Sequence, residues 1–119
     1  LINEIAPRVH NSGHHTLESG KTSQFEQHLR AILGLELEST KLIHNTIMYN
    51  ILGKVDFEGE YKEIDFSKKN VYVKMYKKKI SKPLRKLGHL NIVGNNDQTI
   101  EELLNELSLI KDKVEIKSI

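Results

Sequence analysis

The chain opens on Leu1-Ile-Asn-Glu-Ile-Ala-Pro-Arg-Val-His-Asn-Ser-Gly-His-His15, in which polar and charged side chains directly follow an apolar start. Pro7 and Gly13 favour a reversal of the chain, so the stretch predicts the end of a strand and a long polar loop. The carboxylate of Glu4 can hold a hard cation such as Mg²⁺. The planar guanidinium of Arg8 can hold an oxyanion in two hydrogen bonds. This combination predicts chemistry on a phosphate group, whereas a simple surface pair between Glu4 and Arg8 is the plainer alternative.

The composition limits the class of protein. A chain of 119 residues corresponds to one ordinary domain, and 38% hydrophobic residues without Trp indicate a core of Ile, Leu and Val. The absence of Cys excludes disulfides, thiolate metal sites and Cys nucleophiles, and it fits a reducing compartment. No apolar run approaches the roughly 18 residues of a membrane span. We therefore predict a cytoplasmic protein without a membrane partner.

Charge is strongly segregated along the chain although the net charge is only +2. Five acidic residues lie within 56–65, and nine of the 18 Lys and Arg residues lie within 68–86, where there is no acid. Such a basic block attracts phosphate, either on a small ligand or on a nucleic acid. In the second case Tyr72 and Tyr76 would serve as stacking platforms. A solvated, Lys-rich strand edge that deters aggregation is the structural alternative.

Two helices are predicted from local signals. Ser23 and Glu26 have the spacing of a capping box, Phe25, Leu29 and Ile32 would share one face, and Gly34 is a C-terminal cap. Thr99 and Glu102 repeat the capping box, and the apolar stripe of the second helix is formed by Ile100, Leu103, Leu104 and Leu107.

Strands are predicted around residues 42–52, 71–75, 89–93 and 114–119, where β-branched and aromatic residues concentrate. The polar stretch 53–69 is predicted to be a mobile excursion. The resulting fold class is α+β, with a boundary near residue 37.

A second polar constellation is Tyr76-Lys-Lys-Lys-Ile-Ser-Lys-Pro-Leu-Arg-Lys-Leu-Gly-His89. Its cations can gather on a loop between two strands, and the interleaved Pro, Arg, Gly and His are unusual for a plain solvated Lys run. The constellation therefore predicts a pocket for a phosphate ester.

Three motifs in this order resemble one enzyme family. Asn3–His14 is similar to the signature loop of the 5-(carboxyamino)imidazole ribonucleotide synthetases, Ser23–His28 to their next segment, and Lys82–His89 to their C-terminal Arg/Lys-Pro-x-Arg-Lys-x-Gly-His motif. The formate-dependent glycinamide ribonucleotide transformylases are the closest alternative, but Asn11-Ser12 and Gly88-His89 favour the first family. The resemblance covers nearly the whole chain but only about the last third of the family's length.

The resemblance implies a reaction and its site residues. ATP, with Mg²⁺, and bicarbonate would form carboxyphosphate, and aminoimidazole ribonucleotide would capture the carbon dioxide equivalent in purine biosynthesis. The implied assignments are Asn3 and Glu4 for the nucleotide, with Glu4 also a Mg²⁺ ligand, Arg8, His10 and Asn11 for bicarbonate or carboxyphosphate, and Lys78, Arg85 and Lys86 for the ribonucleotide 5′-phosphate. Lys79 remains an alternative to Lys78.

The implied architecture has two parts. Residues 1–37 would close an ATP-grasp domain, and residues 38–119 would form a small, mainly β C-terminal domain with one helix. We expect the chain to be the back end of a larger enzyme, inactive alone, whose upstream ATP-grasp and N-terminal domains are its partners. A homodimer without nucleic acid is the expected assembly.

Overall fold

A computed structural model describes residues 1–119, and its secondary structure is divided between three helices and six strands. In chain order these are α1 (Thr16–Ser19), α2 (Gln24–Ile32), β1 (Thr46–Leu52), β2 (Gly59–Lys62), β3 (Val71–Met75), β4 (Ile80–Ser81), β5 (Lys86–Val93), α3 (Ile100–Ile110) and β6 (Lys117–Ser118). Short 3-10 turns occupy Asn11–Gly13 and Lys111–Lys113. The predicted α+β class is confirmed. No helix has both the length and the apolar character needed to cross a membrane.

The strands form two antiparallel sheets. The main sheet has the order β1-β5-β3, and the smaller sheet, made of short strands, has the order β4-β2-β6. Because side chains alternate across a strand, Leu90 and Ile92 of β5 lie on one face while His89 and Asn91 lie on the other. Asn50 of β1 and Lys74 of β3 are the register partners of His89 on either side. The main sheet therefore has one apolar face and one polar face.

The apolar face carries the core. Leu90, Ile92 and Leu103 are completely buried and pack with Ile110 and Val114, which joins the main sheet to α3. A second cluster lies between the two sheets and consists of Ile51, Tyr61, Leu87 and Ile116. These contacts leave the polar face of the main sheet available to the N-terminal segment.

Both helix predictions are confirmed at their ends. The Ser23 hydroxyl accepts a hydrogen bond from the Glu26 amide, and Thr99 and Glu102 form a complete reciprocal capping box. Gly34 has φ +68°, the left-handed conformation that terminates many helices. The Leu35 amide donates to the Arg30 carbonyl at 2.8 Å, as in a Schellman motif.

The packing of the predicted apolar helix faces differs from expectation. Phe25, Leu29 and Ile32 share one face of α2, yet they are 37, 57 and 66% exposed, so this apolar face is not buried in the core. In α3 the stripe is divided, since Leu103 is fully buried whereas Leu104 is exposed.

Several strand predictions need correction. The polar stretch 53–69 contains β2, whose Tyr61 is buried, so its description as an excursion was wrong. The acidic sequence of β2 does not indicate a strand, and β2 is instead stabilised by backbone pairing with β4 and β6. The predicted last strand is reduced to β6, while β5 begins at Lys86, three residues before the predicted start.

Candidate functional site

The N-terminal loop covers the polar face of the main sheet through amide hydrogen bonds. The Asn11 side-chain amide donates to Oδ1 of Asn50 at 2.9 Å. The fully buried Asn91 donates from Nδ2 to the His14 carbonyl at 3.0 Å and to the carboxylate of Glu18. These bonds cross from residues 11–18 to β1 and β5. They place the loop with the predicted oxyanion residues directly on the sheet.

An aromatic cluster lies under this loop. The His14 ring centroid is 4.9 Å from that of His89 and 6.3 Å from that of Tyr76, and Phe25 stacks on it at 5.4 Å. The Tyr76 hydroxyl and Nδ1 of His89 are hydrogen-bonded at 2.8 Å. The cluster therefore connects the first loop, α2, the end of β3 and β5.

The environment of the cluster favours uncharged rings. Burial lowers the pKa of His89 to about 4, with smaller contributions from His14 and Lys74. Burial also lowers the pKa of His14, helped by the positive charge of Lys86 and by His10. Burial raises the pKa of Tyr76 above its ordinary value. At neutral pH the cluster is thus a neutral, hydrogen-bonding wall beside cationic side chains.

We predict that burial of the neutral His89 ring makes the free energy of unfolding decrease at acidic pH. His89 takes up its proton near pH 6.5 when unfolded but only near pH 4 when folded, so the unfolded state binds more protons between these values. The His89 contribution should therefore be constant above about pH 6.5, and stability should decrease as the pH falls from there towards 4. Urea unfolding of the wild type and His89→Gln at pH 7 and 5 measures this difference. His28→Gln, on exposed helix surface, is the control, and an equal pH dependence in wild type and His89→Gln would contradict the prediction.

The three predicted oxyanion residues have different environments. Arg8 is exposed, and its guanidinium makes a single hydrogen bond, to the Val9 carbonyl at 3.2 Å. His10 is half-buried, and its Nδ1 accepts from the Ser12 amide at 3.3 Å. Asn11 is tied to Asn50, as described above. Arg8 thus retains most of its donors for a ligand, while His10 and Asn11 are held in place.

The predicted nucleotide and metal residues stand apart from this cluster. Asn3 and Glu4 are exposed, and neither side chain forms a hydrogen bond or an ion pair within the chain. A single free carboxylate fits Mg²⁺, which usually takes one or two protein carboxylates and completes its shell with phosphate oxygens and water. The donor chemistry of Glu4 therefore fits the predicted metal, whose other ligands would have to come from outside these residues, since no group of three or more acidic or histidine side chains is gathered here.

Of the predicted phosphate residues, Lys78 and Arg85 lie on the loops on either side of β4, and Lys86 is the first residue of β5. Lys78 donates to the Lys86 carbonyl at 2.8 Å, and its Nζ lies 5.9 Å from the centroid of the Tyr76 ring. Arg85 is half-buried and donates to the Ile80 carbonyl at 3.0 Å, whereas Lys79 is exposed. Of the two alternative lysines, Lys78 is the one in contact with the aromatic cluster.

Gly53 closes the loop that carries Arg85. Its amide donates to the Arg85 carbonyl at 2.9 Å, and its carbonyl accepts from the Leu84 amide at 3.0 Å. Leu84 has φ +57°, a left-handed conformation that this pairing maintains. The shape of the loop is therefore set by the end of β1.

Several residues in and around the aromatic cluster were not assigned a catalytic or binding role from the sequence. His14 and His89 belong to recognised motifs, but only the fold shows that their rings meet. Asn50 lies in the middle of a strand, and Gln24 opens a helix, where neither position suggests a site. Their contacts are between residues far apart along the chain.

Comparison with known proteins identifies the family. The Phosphoribosylaminoimidazole carboxylase C-terminal domain model matches residues 46–103, and the ATP-grasp domain model matches residues 1–25. The N5-carboxyaminoimidazole ribonucleotide synthase of Vibrio cholerae is 42% identical over 113 residues, which are 95% of this chain and 29% of that protein. The chain belongs to the N5-carboxyaminoimidazole ribonucleotide synthase family, whose C-terminal part it matches. The suspected resemblance is thereby confirmed.

Solved structures of synthases in this family share the fold. The N5-carboxyaminoimidazole ribonucleotide synthetase of Thermotoga maritima superimposes with a TM-score of 0.87 at 40% identity, covering 100% of this chain and 33% of that one. The N5-carboxyaminoimidazole synthase of Aspergillus clavatus, in complex with ADP and 5-aminoimidazole ribonucleotide, gives a TM-score of 0.75 at 34% identity, covering 94% of this chain and 30% of that one. The chain thus spans about 30% of the length of such synthases.

Proposed function

We propose that the chain is the C-terminal part of an ATP-dependent ligase that carboxylates aminoimidazole ribonucleotide with bicarbonate. One observation carries the proposal: contacts run without a gap from His10 through Gln24, His14 and His89 to Tyr76, next to Lys78. The loop with the predicted oxyanion residues (8–11) and the loops with the predicted phosphate residues (78–86) therefore border the same cluster of uncharged rings. A ribonucleotide lying along this cluster would have its phosphate near one loop and its reacting amine near the other.

The oxyanion loop suits the first step. In that step a bicarbonate oxygen would attack the γ-phosphorus of ATP, ADP would leave, and carboxyphosphate would form. Arg8 has free donors for the anion, and His10 and Asn11 are pre-oriented by Ser12 and Asn50. Fixed donors stabilise developing negative charge without reorganising during the reaction. Glu4 and Asn3 would lie towards the nucleotide, and Mg²⁺ at Glu4 would neutralise phosphate charge.

The phosphate loop suits binding of the second substrate. Carboxyphosphate would break into phosphate and a carbon dioxide equivalent, whose carbon forms a bond to the ribonucleotide amine while that amine loses a proton. Lys78, Arg85 and Lys86 would hold the 5′-phosphate, and Arg85 can do so in a bidentate manner. Binding energy from this remote phosphate would orient the amine at the reacting carbon.

The remaining partners belong to the same proposal. The upstream ATP-grasp and N-terminal parts of the synthases would complete the nucleotide site, and the exposed apolar face of α2 offers them a contact surface. The boundary at residue 37, the homodimer, the cytoplasmic location and the inactivity of these 119 residues alone remain predictions. Detectable ribonucleotide-dependent ATP hydrolysis by the chain alone would contradict the last of these.

The basic block 68–86 is also less suited to nucleic acid than its sequence suggested. Lys68 is paired with Glu106 at 2.6 Å and Lys82 with Glu58 at 3.3 Å, so acidic residues interrupt its surface. Lys78 and Arg85 instead donate to backbone carbonyls, which fixes the two cations on the loops around β4. This distribution supports a small phosphate ester as the ligand.

We predict ribonucleotide-dependent turnover in the polypeptide that includes the upstream part. ATP hydrolysis should require aminoimidazole ribonucleotide and bicarbonate, and Arg85→Ala should raise the KM for the ribonucleotide by about 100-fold because a charged phosphate contact is lost. Lys79→Ala, an exposed neighbour, is the matched control and should change that KM little. A response only to formate with glycinamide ribonucleotide would assign the chain to the sibling transformylases instead.

A further inference from the structure

The side-chain amide of Gln24 forms hydrogen bonds to both backbone groups of His10. Its Oε1 accepts from the His10 amide at 3.1 Å, and its Nε2 donates to the His10 carbonyl at 2.8 Å. The same Nε2 is 2.9 Å from Nδ1 of His14. One side chain therefore contacts the predicted oxyanion residue and the central ring of the aromatic cluster.

These contacts determine the protonation of His14. The His10 amide can only donate, so the Gln24 oxygen must face it, which leaves both Nε2 hydrogens for the His10 carbonyl and for His14. Nδ1 of His14 is thus an acceptor, and the neutral ring carries its proton on Nε2. Burial, the positive charge of Lys86 and the neighbouring His10 also lower the pKa of His14 and so oppose a second proton there.

Gln24 is itself held rigidly. It is the first residue of α2, and its amide donates to the Thr16 hydroxyl at 2.9 Å, which in turn donates to the Gly13 carbonyl at 2.6 Å. A Cβ at Gly13 would lie 2.3 Å from Oε1 of Gln24. Only glycine at this position lets the side chain reach His10 in the observed geometry.

We propose that Gln24 is a positioning residue, which fixes the place of His10 and the Nε2-protonated form of His14 for the carboxylation step. The assignment rests on the proposed function for its catalytic consequence, but the state of His14 can be measured without turnover. A carboxylate at position 24 could still accept from the His10 amide. It would face the His10 carbonyl without a donor, and it would favour a proton on Nδ1 of His14.

The chain offers a matched control one turn away. Gln27 grips Glu38 in the same manner, with Nε2 donating to the Glu38 carbonyl at 2.7 Å and Oε1 accepting from the Glu38 amide at 2.9 Å. Its side chain forms no hydrogen bond to His10 or His14. Gln27→Glu therefore disrupts an equivalent pair of backbone hydrogen bonds on the same helix while the hydrogen bonds to His10 and His14 stay in place.

The first test is ¹⁵N NMR of histidine-labelled polypeptide including the upstream part. The wild type should show His14 with an unprotonated Nδ1 and a protonated Nε2 near pH 7, with assignment from His14→Gln. Gln24→Glu should protonate Nδ1, whereas Gln27→Glu should leave the His14 signals unchanged. A wild type with protonated Nδ1, or a Gln24→Glu spectrum identical to wild type, would overturn the proposal.

The second test is steady-state kinetics with bicarbonate as the varied substrate. Gln24→Glu should lower kcat/KM for bicarbonate by about 100-fold, the order expected when a reacting group is misplaced by about 1 Å, while the KM for ATP stays unchanged. Gln27→Glu should retain wild-type kinetics. Equal losses in the two variants would show a merely structural role and overturn the proposal.

The outcomes also separate this proposal from the proposed function. If the wild type shows no ribonucleotide-dependent turnover, the proposed function fails, and the NMR spectra still decide whether Gln24 controls His14. If Gln24→Glu does not fold, Gln24→Met, which has a similar length and no donor, replaces it in both tests. It should lower kcat/KM for bicarbonate, and unaltered bicarbonate kinetics would overturn the proposal.

Discussion

Arg8→Ala is expected to lower ribonucleotide-dependent ATP hydrolysis by about 100- to 1,000-fold, the usual consequence of losing one donor to developing charge. The urea midpoint should hardly change, because the Arg8 side chain is exposed and makes one hydrogen bond, to its neighbour Val9. Turnover and unfolding are measured on the polypeptide that includes the upstream part. A large effect on catalysis without an effect on stability would show that the guanidinium acts on a ligand.

Arg30→Ala provides the control for a change of charge. The Arg30 guanidinium lies 3.1 Å from the Glu26 carboxylate and 3.6 Å from that of Glu38, so it serves the structure of α2 and the following segment. We expect slightly lower stability and wild-type turnover. If Arg8→Ala retained full activity, or if Arg30→Ala were equally inactive, the assignment of Arg8 to the oxyanion would be wrong.

Gly53→Ala is expected to reduce the free energy of unfolding by about 1–3 kcal/mol through overpacking. An added Cβ would lie 2.0 Å from the Lys82 carbonyl oxygen and 2.7 Å from Oγ of the fully buried Ser81. Backbone cannot yield as a flexible side-chain end can, so the loop bearing Arg85 must shift. The KM for the ribonucleotide should therefore rise together with the loss of stability, and urea unfolding and substrate titration measure the two effects.

Lys54→Ala, next to Gly53 in the chain, is the control for Gly53→Ala. Lys54 is exposed, and its ammonium group lies 3.7 Å from the carboxylate of Glu115, a surface pair of small energetic weight. Lys54→Ala should match the wild type in stability and in ribonucleotide KM. An unchanged KM in Gly53→Ala would show that the loop position does not govern phosphate binding.

Local interactions explain which parts of the fold could be predicted. The N-termini of α2 and α3 are each specified by two residues that lie three positions apart, Ser23 with Glu26 and Thr99 with Glu102. Alternation in β3 likewise predicts a strand, because it depends only on which side chains face the core. In contrast, β2 forms because Tyr61 fills the second core cluster and its backbone pairs with β4 and β6, which lie far along the chain.

For the candidate site, too, the chemical groups could be predicted from the sequence, whereas their contacts could not. The types of residue in 1–15 and 76–89 predicted oxyanion and phosphate chemistry, because guanidinium, ammonium and carboxylate groups have that chemistry wherever they lie. That His14 meets His89, 75 positions later, and that Asn11 meets Asn50, was decided only by the pairing of β1 with β5 and by the loop lying on their polar face. Sequence alone thus determined the local elements and the chemical groups. Tertiary structure decided their neighbours, their burial and the protonation of His14, since these depend on non-local contacts.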